Sequence, residues 1–418
     1  DICEFRFCGK EIVQHLPTFD IKVYCKATTA KLHYIRLTND RAKQIEDPCS
    51  PEEVEEFQSI VGSLMWIGRS CRPGIAYDVS SLQTAIKKPL VEDLVACNRA
   101  VKRIKDGEQN ECLTFLSDSV HWRSEPQAFL DICVASVSDA SHGQEDEYLP
   151  EEDARESFRS QGGKLNFLAD KSMLTSEEAY MHIISYGSNV VRRVCNSTIK
   201  AETYQLQLVV ENGVLVRAAI ADCHGQLDRR NWEASAAAFC TQVWFTDCKS
   251  CFDTLQKPVP TKGTDKRIGI ELAALRQCLW RRSGEERADP RLYDSLPDTP
   301  TDICHWIDTT VMIADPLTKA MKSTELLTVL NTNFWCWSQP EDAKVTKEKK
   351  QLQRHNSKDA KKEVAEQKRK ASRDKDRAPR PEDDSAAQDP WLAPTCSTAA
   401  SSSSSSPKKS IKSTRSKY

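Results

Sequence analysis

Four acidic residues stand where they could share a metal ion. Asp139 ends a predicted strand, FLDICVASVSDAS, and Asp247 ends another, TQVWFTDC. Glu202 lies in the first turns of a helix predicted from Ser197, and Asp315 lies in the segment IADPLTK. If the two strands are neighbours and the helix packs across them, these carboxylates meet at one end of a sheet.

Such a cluster has a definite chemistry. Unpaired carboxylates at close range raise one another's pKa, so the site calls for cations. Oxygen ligands select Mg²⁺ or Mn²⁺ over soft metals, and two such ions about 3.5–4 Å apart activate water and stabilise the leaving oxygen of a phosphodiester. The pattern indicates phosphoryl hydrolysis, although a chain with 61 Asp and Glu also acquires strand-end aspartates by chance.

The segments around these acids resemble those of a known family. Four of them are similar, in chain order, to the four blocks of the ribonuclease H domain of copia-type retrotransposon polyproteins: SDAS (138–141), STIKAETYQL (197–206), WFTDCKSCFDTL (244–255) and ADPLTK (314–319). In that family the acids of these blocks hold two metal ions. The resemblance implies two Mg²⁺ (or Mn²⁺) ions as cofactors, held by four catalytic acids: Asp139, Glu202, Asp247 and Asp315.

The resemblance extends upstream. Residues 57–83, FQSIVGSLMWIGRSCRPGIAYDVSSLQ, are similar to the segment that joins reverse transcriptase to ribonuclease H. FRFCGKEIVQ (5–14) is similar to the strand after the polymerase palm, and KGTDKRIGIELAALR (262–276) to the helix before the last acidic block. The resemblance covers roughly Phe5 to Met321. It implies four regions: a reverse transcriptase remnant (1–48), a helical connection (49–120), a ribonuclease H-like domain (121–340) and a disordered basic tail (341–418).

The chain also departs from the family. No aromatic-x-Asp-Asp strand occurs in the body, and the adjacent pair Asp383–Asp384 lies in the tail, so polymerase activity is not expected. After Asp139 the family usually carries a Trp/Gly-containing segment, whereas SHGQEDEYLPEEDARESF stands here. This difference concerns the substrate contacts of that loop and not the aspartate itself.

The implied fold class is α/β (α+β), a ribonuclease H-like mixed five-stranded sheet with flanking helices, preceded by a β-hairpin and a small helical region. Alternating apolar residues in FRFCGKEIVQ and FDIKVYC predict the two strands of the hairpin. Ser50–Pro51–Glu52–Glu53 predicts a helix start, because Ser caps, Pro needs no N–H partner and acids favour the first turn. Further helices are predicted over 74–86 and 91–104.

Hydrophobic patterns predict the remaining elements. Strands are expected over 129–141, 164–170, 182–186, 190–194, 241–248 and 303–308, and helices from 197, over 232–238 and over 268–282. The helix from Ser197 is expected to carry Ala201, Tyr204, Leu208 and Leu215 on its inner side. The acidic stretch 145–156 is expected to be a surface loop.

The charge of the chain divides into two parts. The 59 Lys and Arg nearly balance 61 Asp and Glu. Residues 341–418, however, hold 20 basic and 12 acidic residues, so the tail carries +8 and the rest −10. The Pro- and Ser-rich tail cannot bury enough apolar area to fold. It could contact phosphates or serve as a nuclear address, or it could be a solvated tail without either role.

Composition and motifs also indicate the cellular compartment and exclude some classes of protein. The 17 cysteines lack the regular spacing of a secreted scaffold, which favours a reduced, intracellular protein. No charge-free apolar stretch of about 18 residues occurs, and no signal peptide is visible at the start, so no membrane partner is expected. A first residue other than Met indicates a piece of a longer protein. A kinase or ATPase is disfavoured because the chain has no GxxxxGK[ST] motif.

Several further residues leave alternatives open. Arg192, Arg193 and Lys200 could hold substrate phosphates or form a solvated basic edge. The CxxC motif of Cys248 and Cys251 lacks a second pair of ligands for zinc, so we interpret it as two small apolar residues at a helix start.

Three histidines and a tryptophan also have alternative interpretations. Some ribonuclease H domains use a mobile histidine near the metal site; His142 and His224 are candidates for that role, with surface or core positions as the alternative. His305 precedes the last acidic block by ten residues. Trp306 is interpreted as a core residue rather than a base-stacking platform.

The resemblance therefore implies endonucleolytic, two-metal hydrolysis of the RNA strand of RNA:DNA hybrids. The expected partners are such a hybrid and the remainder of the polyprotein, without an organic cofactor, inside a cytoplasmic particle or the nucleus. Contacts to the backbone and the 2′-OH should leave little sequence preference. The alternative is a non-catalytic nucleic-acid-binding or interaction remnant of such a polyprotein.

Overall fold

The computed structural model describes residues 2–106, 112–117, 132–142, 160–257, 266–281 and 301–338. All of them lie within the unit Asp1–Lys347. The expected acidic loop (145–156) and the expected disordered tail (341–418) lie outside the described residues. None of the helices in the described ranges combines the length and apolar character that crossing a membrane requires.

The N-terminal residues form an antiparallel sheet whose four strands follow chain order: β1 (Ile2–Phe7), β2 (Lys10–His15), β3 (Ile21–Tyr24) and β4 (Leu113–Phe115). FRFCGKEIVQ, expected as one strand, is two strands. Cys8 and Gly9 adopt φ values of 46° and 74° and form the two-residue turn between them. A turn with positive φ matches the twist of the strands it joins. The predicted hairpin is confirmed in β2 and β3, which pair antiparallel, but β1 and β4 extend it into a larger sheet.

Helices fill the region between β3 and β4: α1 (Lys26–Lys31), α2 (Pro51–Ser70), α3 (Ala76–Thr84) and α4 (Val91–Asp106). The predicted start of α2 is confirmed. The Glu53 backbone N–H donates to Ser50 Oγ, and the Ser50 backbone N–H donates to the Glu53 carboxylate at 2.8 Å, which makes a capping box. The buried side of α2 follows helical spacing: Phe57, Ile60, Val61, Leu64 and Ile67.

A mixed six-stranded sheet forms the centre of the larger part: β5 (Ile132–Ser141), β6 (Gln161–Asp170), β7 (Glu178–Val190), β8 (Gln242–Thr246), β9 (Ile303–Trp306) and β10 (Phe334–Cys336). The order is β10-β7-β6-β5-β8-β9, with β8 and β9 parallel to β5 and the other neighbours antiparallel. The expected mixed sheet is present, but the count of five strands is wrong because β10 adds to β7.

Residues 182–194 also differ from the prediction. The two strands expected over 182–186 and 190–194 are one strand, β7, which ends at Val190. Gly187 and Ser188 interrupt the apolar pattern, yet they pair with Lys164 and Gly163 of β6. Backbone pairing to a long neighbour therefore carries the strand through residues whose side chains do not indicate one.

In the described ranges this sheet is accompanied by the helices α5 (Thr198–Cys223), α6 (Trp232–Phe239), α7 (Lys249–Gln256), α8 (Lys266–Leu279) and α9 (Thr324–Thr332). The start of α5 after Ser197 is confirmed. Its expected inner side is wrong at Leu208 and Leu215, which are 38% and 60% exposed. The buried side instead includes the polar residue Arg217, which pairs with the equally buried Asp302 at 2.8 Å. Polarity therefore does not mark the outer face of this helix.

Hydrophobic residues cover both faces of the six-stranded sheet. Along β8, Val243 and Phe245 join a cluster shared with α2, α3, α4 and α9, whereas Trp244 joins a cluster shared with α5, α7 and α8. This alternation is expected of a strand buried on both sides. The helices thus cover β5 and β8 on both faces, and the candidate site lies near the ends of these two strands.

Candidate metal centre

Asp139 and Asp247 reach the same point because they belong to adjacent parallel strands or follow them directly. β5 and β8 pair with Val137 opposite Phe245. Each aspartate lies two residues beyond that pair, so the two stand at the same level. Asp139 is 2% exposed and Asp247 is partly buried.

The third aspartate arrives on a 3₁₀ turn, Asp315–Leu317, that lies against β6. This approach depends on Gly163, which is the partner of Asp139 across the β5–β6 ladder. A Cβ at Gly163 would stand 2.7 Å from Leu317 Cβ and 3.0 Å from the Ala314 carbonyl oxygen. Since packed interiors leave no room for such an atom, the glycine allows the turn to complete the acidic group.

Together these residues form a group that could hold a metal ion. One carboxylate oxygen from each of the three lies within 4.8 Å of the other two: Asp139, Asp247 and Asp315. Two of the three are buried and the third is partly buried. Three anionic oxygens at this spacing are a donor set suited to a hard divalent cation.

Glu202 lies beside the three aspartates, in the second turn of α5. It is 4% exposed, and its carboxylate accepts a hydrogen bond from the Ala140 backbone N–H. Its Oε2 is buried and has no hydrogen-bond partner among the described residues. Glu202 lines a cavity of about 330 Å³ together with Asp139 and Asp247. The structure therefore brings all four predicted acids to one place.

Burial and mutual repulsion raise the pKa of three of these carboxyls. For Glu202, burial and then the charges of Asp139 and Asp247 raise the pKa well above its ordinary value. Burial, followed by the charge of Asp139, raises the pKa of Asp247 and raises that of Asp315 to about 7. A cluster that resists full ionisation is one that a bound cation would stabilise.

A lysine places a positive charge inside the cluster. Lys319 Nζ lies 2.7 Å from Asp315 Oδ1 and 3.5 Å from Asp139 Oδ2. Burial opposes the charge of this side chain, but Asp139 and Asp315 outweigh it and raise the pKa of the ammonium. The Thr318 hydroxyl donates to the same oxygen of Asp139. The segment ADPLTK thus contributes a carboxylate, a hydroxyl and an ammonium to one site.

Asp247 is held by neighbours from the end of β9. The Thr309 hydroxyl donates to Asp247 Oδ2 at 3.0 Å, and the Trp306 indole N–H donates to the Asp247 carbonyl oxygen at 2.9 Å. The prediction that Trp306 lies in the core is wrong, since it is 37% exposed. Within the described residues β9 lies at the edge of the sheet, which leaves Trp306 partly accessible. Lys249 Nζ lies 5.0 Å from its ring centroid.

The three predicted basic residues occupy different environments. Arg192 and Arg193 are exposed in the segment after β7. Arg193 forms an ion pair with Glu271, and its guanidinium lies 4.8 Å from the ring centroid of Tyr204. Lys200 is only 6% exposed, and its Nζ donates to Asn196 Oδ1 at 3.3 Å. A phosphate-binding role therefore stays a prediction, and the two arginines are the more accessible of the three.

Of the three histidines considered, His142 lies beside the acids. It lines the same cavity, and its Nε2 is 3.0 Å from the Cys195 carbonyl oxygen. His224 stacks on Phe239 at the end of α5. His305 stacks on Phe245, and burial lowers its pKa.

The two cysteines of the CxxC motif stand at the start of α7. Cys248 precedes the helix and is partly buried, and Cys251 is fully buried in its first turn. Cys251 Sγ lies 3.7 Å from the Thr203 hydroxyl of α5. Within the described residues, the candidate metal group contains no cysteine. This is consistent with the interpretation of both as small packing residues.

Lys319 and Gly163 belong to the site although sequence reasoning gave them no role. A signal for Lys319 was present, because Asp315 and Lys319 stand four residues apart and have opposite charges. Gly163 has a weaker signal, a Gly–Gly pair at the start of a strand. That signal indicates a close approach of backbone but not which segment approaches.

Comparisons with known proteins give no relative to argue from. No family model, no curated protein and no solved structure matches the chain.

Proposed function

We propose that the chain is the ribonuclease H part of a copia-type retrotransposon polyprotein and hydrolyses the RNA strand of RNA:DNA hybrids with two metal ions. The acidic group carries the proposal. Three aspartate oxygens lie within 4.8 Å of one another, and the unpartnered Glu202 Oε2 lies beside them. Each acid comes from one of the four segments that resemble the blocks of that family.

The donor set fits Mg²⁺ or Mn²⁺. All of its ligand atoms are carboxylate oxygens, which hard cations prefer. Among the described residues, Lys319 pairs with two of the four carboxyl groups, so full ionisation of the cluster calls for further cations. A ligand at Glu202 Oε2 would also satisfy a buried acceptor. When bound, the ions would activate a water molecule and stabilise the departing 3′ oxygen of the RNA.

The topology supports the same proposal. A ribonuclease H-like domain is expected to have a mixed five-stranded sheet, and β5 to β9 form such a set, with β7, β6 and β5 antiparallel and β8 and β9 parallel to β5. β10 is an addition at one edge. Because one fold supports many functions, this agreement adds to the argument from the acids and does not replace it.

The residues of the chain have distinct parts in the proposed reaction. The hydroxyls of Thr309 and Thr318 orient the carboxylates of Asp247 and Asp139. The exposed Arg192 and Arg193 are candidates for contacts to the hybrid backbone, where phosphate and 2′-OH contacts position without reading sequence. The proposed partners are the hybrid and the rest of the polyprotein, inside the cell. Neither polymerase activity nor an organic cofactor is part of the proposal.

The decisive experiment is cleavage of a labelled RNA:DNA hybrid by the full chain. Cleavage of the RNA strand should require Mg²⁺ or Mn²⁺ and stop in EDTA. Asp139→Asn should lower the rate by more than the roughly 10–100-fold typical of residues that only support metal ligands. Asp253→Asn changes an exposed acid on α7 and should cleave like the wild type. A hybrid left intact by the wild type, or cut equally by Asp139→Asn, would contradict the proposal.

One observation favours a second candidate, a non-catalytic nucleic-acid-binding or interaction remnant of the same kind of polyprotein. The Lys319 ammonium already balances Asp139 and Asp315, so the acidic group has a counter-ion of its own. Thermal unfolding with Mg²⁺ or Mn²⁺ separates the two candidates. Stabilisation that disappears in Asp139→Asn supports the metal site, whereas hybrid binding without metal-dependent stabilisation or cleavage supports the remnant.

A further inference from the structure

Lys319 occupies a position from which it competes with a metal ion for the same oxygens. Its Nζ lies within 4 Å of carboxylate oxygens from two of the three aspartates, at 2.7 Å from Asp315 and 3.5 Å from Asp139. These two residues also belong to the group whose ligand atoms lie within 4.8 Å of one another. An ammonium and a divalent cation cannot both occupy the space between the same two carboxylates.

The other acids are arranged differently. The Asp247 carboxylate accepts a hydrogen bond from Thr309, and the Oε2 of Glu202 is unpartnered among the described residues. Asp247 and Glu202 therefore offer oxygens that Lys319 does not hold, while Asp315 and one oxygen of Asp139 are engaged. The site divides into a side whose carboxylates form ion pairs with Lys319 and a side that feels the charge of Lys319 without an ion pair to it.

We propose that Lys319 is an internal counter-ion that takes the place of one of the two metal ions in the free protein, so that a second divalent ion enters only when the ammonium leaves Asp139 and Asp315. This inference rests on the proposed function and deepens it, because it says when the second ion binds. Lys319 is a positioning residue in this scheme, since it acts on the carboxylates rather than on the substrate bond.

The side chain of Lys319 has both the freedom and a reason to move. It is 32% exposed, and a lysine side chain has a flexible four-carbon stem. An arriving phosphodiester backbone offers anionic oxygens to which the ammonium can turn. Movement of Lys319 would then couple arrival of the substrate to completion of the metal site.

Counting bound Mn²⁺ tests the inference without any cleavage assay. The full chain without nucleic acid is titrated with Mn²⁺, and free Mn²⁺ is measured by electron paramagnetic resonance. The wild type should bind one ion per chain, with a second at least about tenfold weaker, because a unit charge about 4 Å away opposes a divalent ion even in water. Lys319→Met should bind two ions with similar affinity.

Two control variants separate the charge of Lys319 from general effects. Lys319→Arg keeps the charge and should bind Mn²⁺ as the wild type does. Lys322→Met removes an exposed lysine three residues away and should also leave binding unchanged. Equal ion numbers and affinities in the wild type and Lys319→Met would overturn the inference and leave the proposed metal site intact. If neither chain binds Mn²⁺, or if Asp247→Asn binds as the wild type does, the inference and the proposed function both fail.

A measurement on the unmodified chain keeps the inference testable if Lys319→Met does not fold. Lysine acetylation by a small reagent is followed at each site by mass spectrometry, with and without saturating Mn²⁺. Saturation should increase the acetylation of Lys319 several-fold as the ammonium leaves the carboxylates, while acetylation of Lys322 stays the same. Equal acetylation of Lys319 in both conditions would contradict the proposed exchange.

Discussion

Asp247→Asn should stabilise the metal-free protein and remove its response to divalent ions. The position is well suited to this test. Asp247 Oδ2 accepts a hydrogen bond from Thr309 at 3.0 Å, and an amide oxygen can accept the same bond. Lys319 forms ion pairs with Asp139 and Asp315, and these stay in place. The substitution therefore removes one negative charge and little else.

The expected size of the effect follows from the spacing of the carboxylates. At an effective dielectric constant of about 20, two unit charges 4.8 Å apart repel by about 3 kcal/mol. Lys319 offsets part of this repulsion, because its ammonium lies close to the same carboxylates. We expect Asp247→Asn to gain about 1–2 kcal/mol in free energy of unfolding in EDTA at about pH 8.

The stability gained by Asp247→Asn should depend on pH. A carboxyl whose pKa is higher in the folded than in the unfolded chain holds more protons when folded, so the free energy of unfolding falls as pH rises through that interval. For Asp315 the interval runs from 3.8 to about 7. The pKa of Asp247 is raised by burial and by the same neighbour, Asp139. The advantage of Asp247→Asn should therefore be larger at about pH 8 than at about pH 5.

Urea unfolding followed by circular dichroism supplies the measurement, in EDTA and again with Mg²⁺. The wild type should gain stability with Mg²⁺ by mass action, and Asp247→Asn should gain none. Asp253→Asn, which changes an exposed acid outside the cluster, should match the wild type in both conditions. Lower stability of Asp247→Asn in EDTA at high pH, or a full response to Mg²⁺, would refute the idea that these carboxylates repel one another and share a cation.

Two other substitutions test the packing beside the site and the cap of α2. Gly163→Ala should cost about 1–3 kcal/mol in free energy of unfolding and weaken Mn²⁺ binding, because the added Cβ meets Leu317 and the Ala314 carbonyl. The control is Gly62→Ala in α2, where the added Cβ meets nothing within 4 Å. This control should raise the free energy of unfolding by up to about 1 kcal/mol. Unchanged Mn²⁺ binding in Gly163→Ala would mean that the turn does not need this approach. Ser50→Ala removes the cap of α2 and should cost about 1 kcal/mol in urea unfolding without changing Mn²⁺ binding.

Elements that depend on contacts between residues close in sequence could be predicted. The start of α2 follows from Ser50 and Glu53, which cap one another, and no distant contact is needed to explain it. The inner side of α5 has a different origin. Arg217 is fully buried because Asp302, 85 residues away in the chain, neutralises it. No pattern within the helix reports that partner, so a prediction from polarity placed Leu208 and Leu215 inside.

The same distinction applies to the site. The aspartates could be predicted because each ends a strand or opens a short motif, and the parallel pairing of β5 and β8 then brings two of them to one level. The position of Gly163 opposite Asp139 depends on register across β5 and β6, which the sequence does not state. The contact of Lys319 with Asp139 likewise needs the turn to lie against the sheet. Residues that work through such tertiary contacts are the ones that sequence reasoning missed.

Burial of charge alone does not indicate a ligand. The comparison of a second group of buried charges with the acidic cluster shows the difference. Arg217 and Asp302 both have side chains that are 0% exposed, and they balance one another one to one at 2.8 Å. Each charge of this pair is compensated by the other inside the core, so the pair is structural. Asp139 and Glu202, by contrast, line a cavity, and the charge around them exceeds what Lys319 balances. Unbalanced charge beside a cavity is costly unless a cation relieves it, which is the property expected of a metal centre.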